Sequence, residues 1–143
     1  MTASPVTPIC AVASAIPTPY RDGQNGPMDF ESYVMVRVVR PPGFEPLPAD
    51  EAGRIQDAHL ANIHQMHVDG HLIAAGPSPG GDENVRGWAL MTTDIDTARD
   101  LWAKDPAVQA GVFVAELEPW IMPARLILPG DGVTPRSRAE ASD

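Results

Sequence analysis

The residues best suited to chemistry are four histidines in one short segment of the chain: His59, His64, His67 and His71. Periodicity predicts a helix over residues 49–69, in which successive residues are about 100° apart. His59 therefore lies about 40° from Ile55 and Ile63, in the middle of an apolar stripe that also includes Ala52 and Met66. The pattern alone favours a structural histidine whose ring nitrogens are hydrogen-bonded inside the fold. A carboxylate beside a buried imidazole would instead prepare it for proton transfer, so His59 is also a candidate catalytic base.

A metal site is the other chemistry that clustered histidines suggest. Only His67 and His71 have the i, i+4 spacing that places two ligands on one helix face, and Gly70 is expected to end the helix between them. His64 lies about 140° from His59 around the helix axis and should face solvent. The sequence therefore predicts no metal site, and solvated side chains at positions 64, 67 and 71.

The elements that must position His59 follow a β-α-β-β-α-β order. Strands are predicted over residues 33–40, 72–77, 85–92 and 112–118, and helices over residues 49–69 and 94–104. The strands are rich in β-branched or alternating apolar residues, and prolines and glycines separate them. This order predicts an α+β domain with a ferredoxin-like fold, in which two helices cover one face of a four-stranded antiparallel sheet. The other face of so small a sheet needs a cover, which favours a homodimer.

We expect three segments along the chain: a proline-rich N-terminal extension over residues 1–30, the folded domain over 31–122 and a C-terminal tail over 123–143. The first 27 of the 143 residues include five prolines, which prevent a helix and remove donors from a strand. The tail contains the turn Pro129–Gly132 and then polar residues without periodicity.

Charge and composition exclude several classes of partner and location. The chain has ten Lys and Arg against nineteen Asp and Glu, a net charge of −9, which disfavours nucleic acid and anionic membrane surfaces. No segment reaches the ~20 apolar residues of a membrane span. The short run Ile9–Ile16 lacks the positive leader of an export signal. Cys10 is the single cysteine, so neither an intrachain disulfide nor a Cys-rich zinc site is possible, and a cytoplasmic location is expected.

Several short motifs, taken in order, resemble one known family. They are Asp57–Ala61 around the inward histidine, His67–Leu72 at the helix–strand turn, Ala74–Pro77 at the end of the second strand, Asp105–Pro106, Ala110–Val112 and Glu118–Trp120. Together they resemble the YciI-like (YCII-related) family over residues 33–120. In that family a helix with an Ala-His-Leu core leads through an Asp/Glu-Gly turn into a strand that ends in Gly-Pro.

The resemblance implies a ferredoxin-like domain of the dimeric α/β barrel type and a pocket that contains a histidine and an aspartate. By position these residues are His59 and Asp105, and the pocket walls would include Gly76, Pro77 and Ser78. From the residues alone, an Asp-Pro pair or a Pro-Ser-Pro loop is equally typical of a turn. The resemblance also implies related chemistry: one family member looks like a dehydrochlorinase of a chlorinated hydroxyhydroquinone. Muconolactone isomerases and small monooxygenases of aromatic polyketides share the fold.

Two further residues are candidates for substrate binding. Arg86, at the start of the third strand, is suited to an anionic group of the substrate, although a solvated surface position is the commoner case. Trp88 on the same strand could line an aromatic-binding cavity together with Trp120. For Trp88, Trp102 and Trp120 alike, a position in the core is the more frequent outcome.

We therefore expect a small acid–base enzyme of the lyase (dehydrochlorinase) or isomerase type, acting on a small cyclic or aromatic metabolite through His59 and Asp105. The sequence has no Gly-rich phosphate loop and no flavin or nicotinamide fingerprint, so no cofactor is expected. Two alternatives stay open. One is a cofactor-independent monooxygenase or cyclase of secondary metabolism, and the other is a non-catalytic domain that binds a small molecule or a partner protein.

Overall fold

The computed structural model describes residues 28–141. Cys10 and nearly all of the predicted N-terminal extension over residues 1–30 therefore lie outside the described residues. The elements are β1 (Phe30–Val39), α1 (Ala49–Val68), β2 (Leu72–Pro77), β3 (Val85–Met91), α2 (Ile95–Ala103), α3 (Pro106–Gln109), β4 (Val114–Pro123) and α4 (Arg138–Ala141). The predicted β-α-β-β-α-β order is confirmed. The sequence did not reveal the two four-residue helices α3 and α4.

The four strands form one sheet in the order β2-β3-β1-β4, with every neighbouring pair antiparallel. This is a ferredoxin-like α+β fold. β1 lies inside the sheet, where Val36 pairs with Ala89 of β3 on one side and with Leu117 of β4 on the other. Its β-branched residues suit this position because their side chains pack well against neighbours on the buried face of a pleated sheet.

The two faces of the sheet differ in how they are covered. One face carries the main hydrophobic core, which helices α1, α2 and α3 complete: Val34, Val36, Val38, Ile63, Met66, Leu72, Ala89, Met91, Ala98, Trp102, Ala107 and Phe113. The opposite face carries a smaller cluster of Tyr33, Leu90 and Met122, against which Ile127 of the tail packs. Trp88 and Trp120 lie on this second face and are 44 % and 45 % exposed. We call it the open face of the sheet.

The apolar stripe of α1 is close to the predicted one, with one correction. His59, Ile63 and Met66 are buried, but Ala52, which the periodicity placed in the stripe, is exposed. Gly53 is buried instead, because the side chain of Arg138 from the tail lies over it. The helix ends at Val68, and Gly70 follows with a φ of +81°, a backbone conformation that glycine adopts without strain.

No helix in the part of the chain that the structure describes is long and apolar enough to cross a bilayer.

Candidate active site

The inward histidine of α1 contacts a buried aspartate in the turn between α2 and α3. The Nδ1 atom of His59 lies 2.9 Å from Oδ2 and 3.0 Å from Oδ1 of Asp105. His59 is 8 % exposed and Asp105 is fully buried. The hydrogen bond between His59 and Asp105 is therefore shielded from bulk water. In this less polar surrounding it is stronger than it would be at the surface.

Asp105 is held in place by the helix that it begins. It is the N-cap residue of α3, with Pro106 in the first position of that helix, and its Oδ1 accepts hydrogen bonds from the backbone N–H groups of Ala107 (2.9 Å) and Val108 (3.3 Å). The Nδ2 group of Asn62, one helical turn after His59, donates to Oδ2 at 2.8 Å. Four donors thus surround the carboxylate, and this set satisfies a buried anion without a cation beside it.

These contacts fix which ring nitrogen of His59 carries a hydrogen. An ionised carboxylate can only accept, so Nδ1 must donate. In the neutral ring, Nε2 then holds the lone pair. No residue between 28 and 141 makes a hydrogen bond to Nε2. Phe113 packs edge-on against the imidazole, with ring centroids 5.1 Å apart, and Trp102 lies at 6.3 Å, so two aromatic rings fix its plane.

His59 borders a cavity of about 450 Å³, a volume typical of small-molecule sites. Its wall comes from α1, the first three strands, α2, the segment before β4 and the C-terminal tail. Two of the three predicted pocket walls line it, Gly76 and Pro77, and so do both further candidates for substrate binding, Arg86 and Trp88. The remaining lining is mainly apolar and includes Leu60, Ile63, Trp102 and Phe113. The cavity can therefore enclose an apolar ring beside His59.

Ser78 lies away from the cavity, and the three tryptophans differ in burial and position. Ser78 is not among the residues that line the cavity, and its hydroxyl donates to the backbone oxygen of Gly80 at 3.4 Å. Trp102 belongs to the core, as expected. Trp120 is a correction, because it lies neither in the core nor at the cavity but on the open face, paired with Tyr33. Trp88 is likewise half-exposed rather than core, although it borders the cavity.

The C-terminal tail folds back onto α1 and makes contacts that the sequence did not indicate. Nδ1 of His64 lies 3.0 Å from the backbone oxygen and 3.1 Å from the hydroxyl oxygen of Thr134. His64 was predicted to face solvent and is instead half-buried, since the tail covers that side of the helix. Two turns earlier on α1, Asp57 pairs with Arg138. Hydrogen bonds from Arg138 hold the pKa of Asp57 below its usual value.

No group of three or more His, Cys, Asp or Glu side chains among residues 28–141 is arranged to hold a metal ion. Nδ1 of His67 donates to the backbone oxygen of Leu72, 3.2 Å away, so this histidine, which was predicted to be solvated, is half-buried near the end of α1.

The family model for the YCII-related domain matches residues 33–121, which is more than half of the chain. The chain belongs to the YCII-related domain family. This result confirms the resemblance drawn from the motifs. Membership is compatible with a small-molecule enzyme, and it leaves the substrate and the roles of the site residues open.

Two curated relatives match the chain over 67 residues, which are 41 % of this chain and 68 % of each relative. Protein YciI of Escherichia coli is 37 % identical, and an uncharacterised protein of Haemophilus influenzae is 31 % identical. Among solved structures, the chain is similar to 5-chloro-2-hydroxyhydroquinone dehydrochlorinase of Burkholderia phenoliruptrix in complex with 2,5-dihydroxybenzoquinone. That similarity has a TM-score of 0.45 and 20 % identity, and it covers 62 % of this chain and 92 % of the other.

Proposed function

We propose that this protein is a cofactor-independent acid–base enzyme of the lyase or isomerase type that acts on a small cyclic or aromatic metabolite. The observation that carries the proposal is the buried His59–Asp105 pair beside an apolar cavity. Asp105 accepts a hydrogen bond from the N–H group at Nδ1, so Nε2 is the nitrogen left to act on a substrate in the cavity. His59 is the base, and Asp105 orients the ring and stabilises the imidazolium that forms.

An elimination needs few groups beyond this pair. Nε2 of His59 removes a proton from a saturated ring carbon of the substrate, the electron pair of the broken C–H bond forms a double bond to the adjacent carbon, and chloride departs from that adjacent carbon with the electrons of its C–Cl bond. In an isomerisation the imidazolium returns the same proton to a different carbon. The buried carboxylate favours both steps, because it lies beside the positive charge that develops on the ring.

The reaction type is tested with a panel of substrates under air and under nitrogen. We expect chlorinated hydroxyhydroquinones to release chloride, or unsaturated lactones to shift their double bond, at equal rates in both atmospheres. Chloride-sensitive detection and ultraviolet absorbance measure the two products. Turnover that requires oxygen would replace this proposal with a monooxygenase. Binding of the compounds without any product would leave a small-molecule-binding domain.

We also propose that the protein is a homodimer in which a second copy covers the open face of the sheet. Trp88, Trp120 and Val114 are exposed there, and such an apolar group is typical of an interface. Sedimentation equilibrium should give twice the mass of the chain. Trp120→Glu should shift it to one chain, whereas Val68→Glu, at a still more exposed apolar position on α1, should not. A wild-type protein with the mass of a single chain would contradict the dimer.

A further inference from the structure

Two donors from one helix converge on a single oxygen of Asp105. Nδ1 of His59 lies 2.9 Å from Oδ2, and Nδ2 of Asn62 donates to the same atom at 2.8 Å. The two residues are three positions apart on α1, so their side chains lie on neighbouring parts of the helix surface. The amide and the imidazole therefore share the charge of one carboxylate oxygen.

The amide of Asn62 is not needed to cap α3. Oδ1 of Asp105 already accepts from two backbone N–H groups of that helix, which is the usual bonding of an N-cap. Asp94 caps α2 in the same way, by accepting from the backbone N–H of Thr97. Asn62 instead donates to Oδ2, so its contact bears on the pair with His59 rather than on the end of the helix.

A buried carboxylate strengthens the affinity of a neighbouring imidazole for a proton. Asp105 is fully buried and His59 is 8 % exposed, so water screens this attraction little. Each hydrogen bond donated to the carboxylate stabilises its negative charge and so weakens the attraction. If the attraction were unopposed, the ring would hold a proton on Nε2 up to a higher pH, and no lone pair would face the cavity.

We propose that Asn62 is a positioning residue that limits the hold of Asp105 on His59. It keeps the lone pair on Nε2 free to a lower pH than the pair without this amide would allow, and it lets the imidazolium formed in catalysis release its proton again. Asn62 does not line the cavity and acts only through Asp105. The inference rests on the proposed function, in which His59 is the base.

Other charged groups around the site do not change when Asn62 is replaced. They are Arg86 and Arg138 at the cavity, Asp57 paired with Arg138, Arg40 over the ring of Phe113, and Lys104 directly before Asp105. A difference between the wild type and an Asn62 variant therefore reports the effect of the amide.

Asn62→Leu tests the proposal, because leucine has a similar shape and no hydrogen-bond donor. Nitrogen-15 spectra of the full chain show the pH at which Nε2 of His59 takes up a proton. We expect this pH to rise by about one unit in the variant, a gain of about tenfold in proton affinity, which is the scale of one hydrogen bond to a charged group. The acidic limb of the kcat/KM profile, where turnover is lost as the pH falls, should move in the same direction.

Gln65→Met is the matched control. Gln65 is also an amide on α1 that donates to an aspartate, with its Nε2 2.9 Å from Oδ1 of Asp69. This contact is exposed, and neither residue lines the cavity. The control should leave both the nitrogen-15 titration of His59 and the kcat/KM profile unchanged.

If Asn62 only joins α1 to Asp105, its loss would lower the unfolding temperature and leave the titration of Nε2 where it is. That result in a folded variant would overturn the proposal. A shift to lower pH would overturn it as well, because the amide would then be strengthening the hold on the ring. Asn62→Ala, which adds no bulk, repeats the measurement if the leucine variant is unfolded, and a shift to higher pH is again expected.

The spectra separate this inference from the proposed function, because they need no turnover. A shift in Asn62→Leu together with no product from the substrate panel would leave the control of the pair by Asn62 standing and remove the acid–base enzyme. Turnover by the wild type together with an unmoved titration in the variant would do the reverse.

Discussion

Replacing His59 by glutamine is expected to lower kcat by about 10²–10⁴-fold, the usual contribution of a positioned general base. Glutamine can still donate an N–H to the carboxylate of Asp105, so the buried acceptor stays satisfied and the fold should persist. What disappears is the nitrogen lone pair at the cavity. KM should change much less than kcat, because the apolar walls that enclose the substrate are intact.

His71→Gln is the matched control for this variant. It makes the same exchange on a histidine that does not line the cavity, and turnover should stay within twofold of the wild type. Thermal unfolding of both variants shows that the protein is folded. A folded His59→Gln protein with wild-type turnover on the panel would remove His59 from the mechanism and leave it a structural residue.

The inward position of His59 was predictable from the sequence because it depends on local periodicity. The spacing from Ile63 and Met66 sets the face of α1 on which the ring lies, and the sheet then covers that face. The β-α-β-β-α-β order of the elements along the chain followed from the same kind of pattern. In both cases the pattern lies within one element. Burial of the apolar residues then determines which face of that element points into the core.

The partner of His59 could not be derived from the pattern. Asp105 is 46 residues away, and its side chain has two roles at once, as the cap of α3 and as the acceptor for Nδ1. An Asp-Pro pair indicates the first role alone. The second required the resemblance to a family. Asn62 was missed, although its position three residues after His59 places it on a neighbouring part of the same helix surface.

The contacts of the tail were the least predictable part of the site. His64 bonds to Thr134 across 70 residues, and Arg138 reaches Asp57 across 81. Segments without periodicity carry no signal for where they pack, since no apolar stripe selects a surface for them. Gly53 was the one residue in the sequence that could indicate a group packed against this side of α1. A glycine in the middle of a helix often marks the close approach of another group.

Replacing Asp105 should affect both stability and turnover. Asp105→Ala leaves four donors without this acceptor. Nδ1 of His59 and the backbone N–H of Ala107 make buried hydrogen bonds, and Nδ2 of Asn62 and the backbone N–H of Val108 make partly buried ones. Removing one partner of a buried charged hydrogen-bond network costs about 3–5 kcal/mol. Urea unfolding should show this as a lower midpoint with an unchanged slope.

Asp105→Asn is the sharper variant, because it separates the two effects. The amide oxygen should replace Oδ1, which faces two backbone N–H groups, so the NH₂ group must replace Oδ2 and face His59. Nδ1 of the ring then has to accept, and the hydrogen moves to Nε2. The lone pair is lost from the cavity, and a wrong tautomer of this kind lowers kcat by about 10⁴-fold in the serine protease triad.

Asp94→Asn is the control for the loss of a capping charge. Asp94 is the N-cap of α2 and accepts from the backbone N–H of Thr97 at 2.7 Å, far from any role in the ring contact. It should leave turnover unchanged, while Asp105→Asn should reduce it nearly to background at a stability cost of only about 1–3 kcal/mol. Nitrogen-15 chemical shifts of the imidazole report the tautomer directly. A ring that keeps its hydrogen on Nδ1 in Asp105→Asn, or an unchanged kcat, would show that the carboxylate does not control the base.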